Sequence, residues 1–204
     1  LEIGGYQRVF VTLIRMLNNP NYNIDLIVTG KGRGLENLIP DYVKIHYLES
    51  SRTLFSVFKF RKLISELKPD IVIGTSYMVN LAILLASLFF KSSGKPLIWL
   101  REPNTPGRSI HPFHKLLLKR LYRYADCILS QTPEMKEQVH KFYHISPSKV
   151  KVLYNPLDVE YLRESAKSKD NPYNPQFVNL LAIGRLARQK NFEGLIRRFR
   201  SLKD

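Results

Sequence analysis

Four short apolar runs, at residues 71–73, 97–100, 127–130 and 150–153, recur along the chain with helix-period segments between them. Runs such as 71–73 and 97–100 are continuous rather than alternating, which is the pattern of strands covered on both faces. Residues 24–28 and 43–48 read as two earlier strands. Ahead of them Tyr6, Phe10, Leu13, Ile14 and Leu17 share one helical face, and Asn18-Asn19-Pro20 closes that helix. Further helices are predicted over 54–67, 80–90 and 111–124. Thr132-Pro133-Glu134 opens another, with Thr at the N-cap and Pro in the first turn. Strands alternating with helices predict the α/β class, a doubly wound parallel sheet whose ligands bind beyond the carboxyl ends of the strands. Ser76, Arg101 and Glu102 fall at that edge.

Composition bounds the partners. A chain of 204 residues suits one domain with part of a second. The polar, Pro-rich stretch 165–176 reads as a linker, which makes 1–164 an N-terminal domain and 177–204 the start of another. That second unit is expected to hold a strand over 177–183, then Gly184-Arg185-Leu186, then a helix from about residue 191. Phe192, Leu195, Ile196 and Phe199 form the helix's apolar stripe. The lone cysteine, Cys127, cannot form an internal disulfide, and no Cys/His spacing suits a structural metal, so a reducing compartment and no metal site are expected. His46, His140 and His144 are scattered without catalytic or metal spacing. Lys and Arg total 32 against 17 Asp and Glu, a formal +15. That excess attracts nucleic acid, anionic membrane or phosphorylated ligands. The longest apolar stretch, 81–90, is shorter than the roughly 20 residues a spanning helix needs. No leader pattern is seen at the N-terminus. A cytoplasmic protein is expected, extending to peripheral attachment at the inner face of the membrane.

Three segments carry chemistry. Gly4-Gly5 ahead of a helix lets backbone N–H groups approach an anion, with Arg8 one turn later, although a Gly pair is also ordinary turn geometry. Gly30-Lys31-Gly32-Arg33-Gly34 lacks nucleotide-binding spacing and reads as a loop. Arg185 and Lys190, between a strand end and a helix start, suit a diphosphate; the plain alternative is a solvated basic loop. Between Glu102 and Asp126 there is no acid at all. Within that stretch His111, Lys115, Lys119 and Arg123 step by four along one side, with Phe113, Leu117, Leu121 and Tyr124 on an apolar side. This is the composition of a helix lying on an anionic bilayer, and equally of a solvated face on a core helix.

Gly4-Gly5-x-x-Arg8, Tyr154-Asn155-Pro156-Leu157-Asp158 and Gly184-Arg185-Leu186-x-x-Gln189-Lys190-Asn191-Phe192 together resemble landmarks of the GT-B glycosyltransferases of family 4, the "group 1" glycosyltransferases. The resemblance covers nearly the whole chain. It implies two Rossmann-like domains facing across a cleft, the N-terminal one holding the acceptor and the C-terminal one a nucleotide-sugar, with transfer that retains anomeric configuration. It further implies no cofactor and no bound metal, with which the absence of an Asp-x-Asp pair agrees. Carried onto this sequence, Gly4, Gly5, Arg185 and Lys190 bind the donor diphosphate, while Arg8, Arg101 and Asn155 line the acceptor side of the cleft. Glu102 becomes the candidate that activates the acceptor or stabilises the transition state; the alternative is a carboxylate paired with Arg101 or Arg108. The implied partners are a nucleotide-sugar, a glycan or polyprenyl-linked acceptor and an anionic membrane surface.

Nucleic acid is not expected, because no recognised nucleic-acid-binding pattern appears. The strand that precedes Gly4 in the family and its E-x7-E segment are absent, so the chain is read as truncated at both ends and inactive alone. The competing reading is a non-catalytic basic module that binds anionic membrane or nucleic acid.

Overall fold

The structure is a computed structural model. It describes residues 5–30, 34, 36–50, 53–90, 94–102, 105–107, 110–167, 173–184 and 186–200. Gly4, Arg185, Arg108 and most of the loop at 30–34 therefore lie outside the described residues. The chain divides into two compact units, Leu1–Asp158 and Val159–Asp204.

The first unit alternates as the apolar runs predict. Helix α1 (Gly5–Met16) leads to β1 (Asp25–Val28) and β2 (Lys44–Tyr47). Then follow α2 (Val57–Leu67), β3 (Ile71–Gly74), α3 (Tyr77–Ser87), β4 (Leu97–Arg101), α4 (Pro112–Leu121), β5 (Cys127–Ser130), α5 (Pro133–Tyr143) and β6 (Val150–Val152). Every strand pairing is parallel. β1 and β2 form one ladder, and β3-β4-β5-β6 form a second in sequence order. Strands added in one direction by right-handed crossovers place α3, α4 and α5 on the same face, where they pack side by side. The core there joins Leu81, Leu84, Ile98, Leu100, Leu118, Ile128, Val139 and Val150. β1 has both faces covered: Leu26 packs against the cluster of α1 residues Val11 and Ile14, and Ile27 against the larger core. His46 is held by Asp25, whose Oδ1 lies 2.6 Å from its Nε2.

Two details of this unit differ from the sequence reading. The opposite face of β3 is only half covered, leaving Ile71 and Ile73 40% and 41% exposed, so its burial alternates where a continuous run suggested two covered faces. The buried stripe of α4 and its following turn is Leu118, Leu121 and Tyr122, while Phe113 and Tyr124, assigned above to the apolar side, are exposed. Packing against α3 on one side and α5 on the other selects that stripe. α5 begins as expected, with Thr132 accepting the Met135 N–H at 3.2 Å and Pro133 in the first turn.

The second unit holds α6 (Val159–Ser165), a 3-10 turn at Arg188–Lys190 and α7 (Phe192–Arg200). Residues 177–183 are not a strand. A strand exists through its ladder, and the described residues of this unit provide no partner; Val178 and Ile183 are 89% and 83% exposed.

Candidate functional site

The carboxyl end of β4 carries two charged residues in succession, Arg101 and Glu102, only 2% and 3% exposed. Consecutive strand residues point to opposite faces, and these two enter different surroundings. The ladder continues through them, with Glu102 N–H donating to Leu129 C=O at 3.0 Å and Gln131 Nε2 donating to Glu102 C=O at 3.2 Å.

Glu102 faces the helices. The Tyr122 hydroxyl donates to its Oε1. Asn80 Nδ2 in turn donates to Tyr122 Oη at 2.9 Å and to Arg101 C=O at 3.2 Å. The Tyr122 ring stacks on Tyr143 with centroids 3.9 Å apart. Burial pushes the Glu102 carboxyl up to about 7, against the opposing pull of Tyr122, Asn80 and Tyr143. Asn80 is a polar residue inside an apolar stretch of α3, and it fits there because Gly74 has no side chain. A Cβ on Gly74 would lie well inside van der Waals contact with Asn80 Oδ1. The alternative pairing of Glu102 with Arg101 does not form, and Arg108 lies outside the described residues.

Arg101 takes the other direction. Its Nη2 donates to Asn155 Oδ1, and its guanidinium carbon lies 5.5 Å from the centroid of Phe10 on α1. Asn155 is itself oriented by Nδ2 donating to Gln131 Oε1 at 3.1 Å. Arg101 Nη1 is buried without a hydrogen-bond partner. Burial lowers the guanidinium's pKa from its ordinary value. Taking such a charge out of water costs several kcal/mol unless an anion offsets it.

The remaining candidates fall in both units. Arg8 is exposed on α1. Gly5 opens α1, and a Cβ there would meet open space. Lys190 lies in the second unit beside Gly184, where an added Cβ would be 3.4 Å from the Lys190 stem and 3.3 Å from the Phe192 ring. The stripe of four on α4 is not a single free face. His111 caps the helix by accepting the Phe113 N–H at 3.3 Å. Lys115 and Lys119 turn toward α5, with Nζ 5.1 and 4.6 Å from the Phe142 centroid. Arg123 remains exposed over Tyr124. The outward face consists of Phe113 and Leu116 with Arg120 and Arg123. Asn80, Tyr122, Tyr143 and Gln131 were not among the residues singled out from sequence, and Phe10 was placed only on the apolar face of α1. The one local signal was Asn80, an amide where the helix otherwise reads as core.

Residues 3–161 match the family model described as Glycosyltransferase Family 4. The chain belongs to glycosyltransferase family 4.

This family 4 chain is 29% identical over its full length to the Campylobacter jejuni N-acetylgalactosamine-N,N'-diacetylbacillosaminyl-diphospho-undecaprenol 4-alpha-N-acetylgalactosaminyltransferase, of which it covers 58%. Among solved structures it resembles the apo form of the lipopolysaccharide outer core galactosyltransferase WaaB, with a TM-score of 0.58 and 22% identity over 76% of this chain and 43% of that one. It also resembles Anabaena Alr3699/HepE in complex with UDP, with a TM-score of 0.59 and 12% identity over 81% and 47% of the two chains. The structural likenesses show that the Rossmann-like fold is shared with glycosyltransferases of the GT-B type. The family 4 chain spans about half the length of these relatives.

Proposed function

We propose that this family 4 chain supplies the acceptor-side domain (1–164), a linker (165–176) and the start of the nucleotide-sugar-binding domain (177–204) of a retaining glycosyltransferase. Its acceptor in this reading is a glycan or a polyprenyl-diphosphate-linked saccharide, the class printed in the name of the Campylobacter relative. The observation that carries the reading is the contact between Arg101 and Asn155. It brings the 154–158 landmark to the end of β4, the edge at which doubly wound sheets bind ligands. The family match favours this reading over a non-catalytic basic module.

In the reaction the anomeric carbon exchanges its bond to the diphosphate oxygen for one to an acceptor oxygen, which loses its proton. Negative charge grows on the leaving diphosphate. Arg185 and Lys190 are assigned to meet it, which calls for no bound metal. Activating the acceptor, the role expected of Glu102, needs contact with substrate; buried beneath Tyr122, it acts in this reading instead as a positioning residue that fixes the strand end presenting Arg101. No described helix is long and apolar enough to cross a membrane. Peripheral attachment at the cytoplasmic face is assigned to the outward side of α4. Co-sedimentation with vesicles containing phosphatidylglycerol, lost in high salt, is the expected result there.

The test offers the 204-residue chain a polyprenyl-diphosphate-linked saccharide together with a panel of nucleotide-sugars. Saturable binding of the lipid-linked saccharide, absent for the uncharged polyprenol, is expected without transfer. No binding overturns the acceptor assignment, and measurable transfer overturns the inactivity of the chain alone.

A further inference from the structure

Arg101 keeps a full positive charge where the described residues give it no negative partner. Its Nη2 meets the neutral amide oxygen of Asn155, its face is covered by Phe10, and its Nη1 is buried without an acceptor. Among the described residues no carboxylate comes within 4 Å of it, and the adjacent Glu102 is engaged by Tyr122. A guanidinium does not lose its proton at neutral pH, so the charge persists and the vacant Nη1 edge is a standing donor for an anion. One turn from Phe10, the side-chain oxygen of Gln7 is a second buried polar atom without a partner. Its amide offers N–H donors on rotation. α1, which carries both Gln7 and Phe10, has no acidic residue in its first turn to repel an anion.

We propose that Arg101, aligned by Asn155, is an anion site at the carboxyl end of β4 that takes a phosphoryl group of a diphosphate ester, with Phe10 as the side chain that turns aside to admit it. The planar guanidinium matches phosphate oxygens, and Asn155 fixes the plane by occupying Nη2, leaving Nη1 for the ligand. The assignment rests on the glycosyl-transfer reading only for what carries the phosphate, a nucleotide on the donor or a prenyl chain on the acceptor.

The experiment titrates the 204-residue chain with inorganic pyrophosphate, UDP and geranyl diphosphate, reading heat and the 15N resonance of the Arg101 side chain. Pyrophosphate is expected to bind and to move that resonance, and Arg101→Gln to weaken binding by roughly 10-fold or more. Tighter binding of geranyl diphosphate than of UDP assigns the site to the acceptor, and the reverse order to the donor. Should Arg101→Gln fail to fold, the wild-type resonance decides together with Asn155→Ala, for which a several-fold weakening is expected. Undiminished binding in Arg101→Gln would place the ion on other cations, Arg185 and Lys190 among them, and overturn the proposal, as would a resonance that none of the three anions moves. Loss of this site alongside intact binding of the lipid-linked saccharide leaves the glycosyl-transfer reading standing, whereas loss of both removes both.

Discussion

Glu102 and Tyr122 form a sealed acid–phenol pair at the end of β4: the hydroxyl donates to the carboxyl, and both side chains are almost wholly out of water. The acid is ordinarily half-ionised near pH 4.5 and here near 7. Its folded pKa lies above its unfolded one, so the folded state binds the extra proton between those values, and stability falls as pH rises through that window. The expected loss from pH 4 to pH 8 is about 3 kcal/mol from this group. Urea unfolding of the wild type and of Glu102→Gln at both pH values checks it. The glutamine variant, neutral throughout, should lack this component.

Tyr122→Phe removes the hydroxyl that favours the ionised carboxylate. The midpoint of the pH effect should move upward from about 7. The variant should lose about 1–3 kcal/mol at pH 8, where the buried charge has lost a donor. The same unfolding series measures both, and an unmoved midpoint would show that Tyr122 does not set the acid's ionisation.

Gly74 and Asn80 should be energetically coupled. Gly74→Ala drives a methyl into the Asn80 amide and should cost about 1–3 kcal/mol. Asn80→Ala, which strips the donor from Tyr122 and Arg101 C=O, should cost about 1–3 kcal/mol. Since the second substitution removes the group the first collides with, the double variant should be more stable than the sum of the singles. A double-mutant cycle from denaturant midpoints gives the coupling directly.

Thr132→Ala should cost about 1 kcal/mol by freeing the Met135 N–H at the start of α5. Thr132→Ser should recover most of it. Thermal melts of the two variants are the check.

The strands and most helices of the first unit could be read from local pattern, because apolar runs such as 97–100 and the Thr132-Pro133 start act within a few residues of themselves. The site was legible only in part. Arg101 and Glu102 stood out at a strand end and Asn155 through the 154–158 landmark, but their partners depend on which helices stack side by side. Tyr122 read as part of a basic helix, and only docking between α3 and α5 turns it to Glu102. α6 escaped notice because Val159, Tyr161 and Leu162 remain exposed, so no buried face imposes a period. Residues 177–183 have strand composition, yet composition alone supplies no neighbour for the ladder.

The half-open face of β3 has a practical consequence for handling the polypeptide. Ile71 and Ile73 stand at the margin of a parallel ladder whose outer hydrogen-bonding side has no partner strand among the described residues. These half-exposed side chains leave apolar surface in water, so a charged residue in place of Ile73 should make concentrated solutions less prone to self-associate.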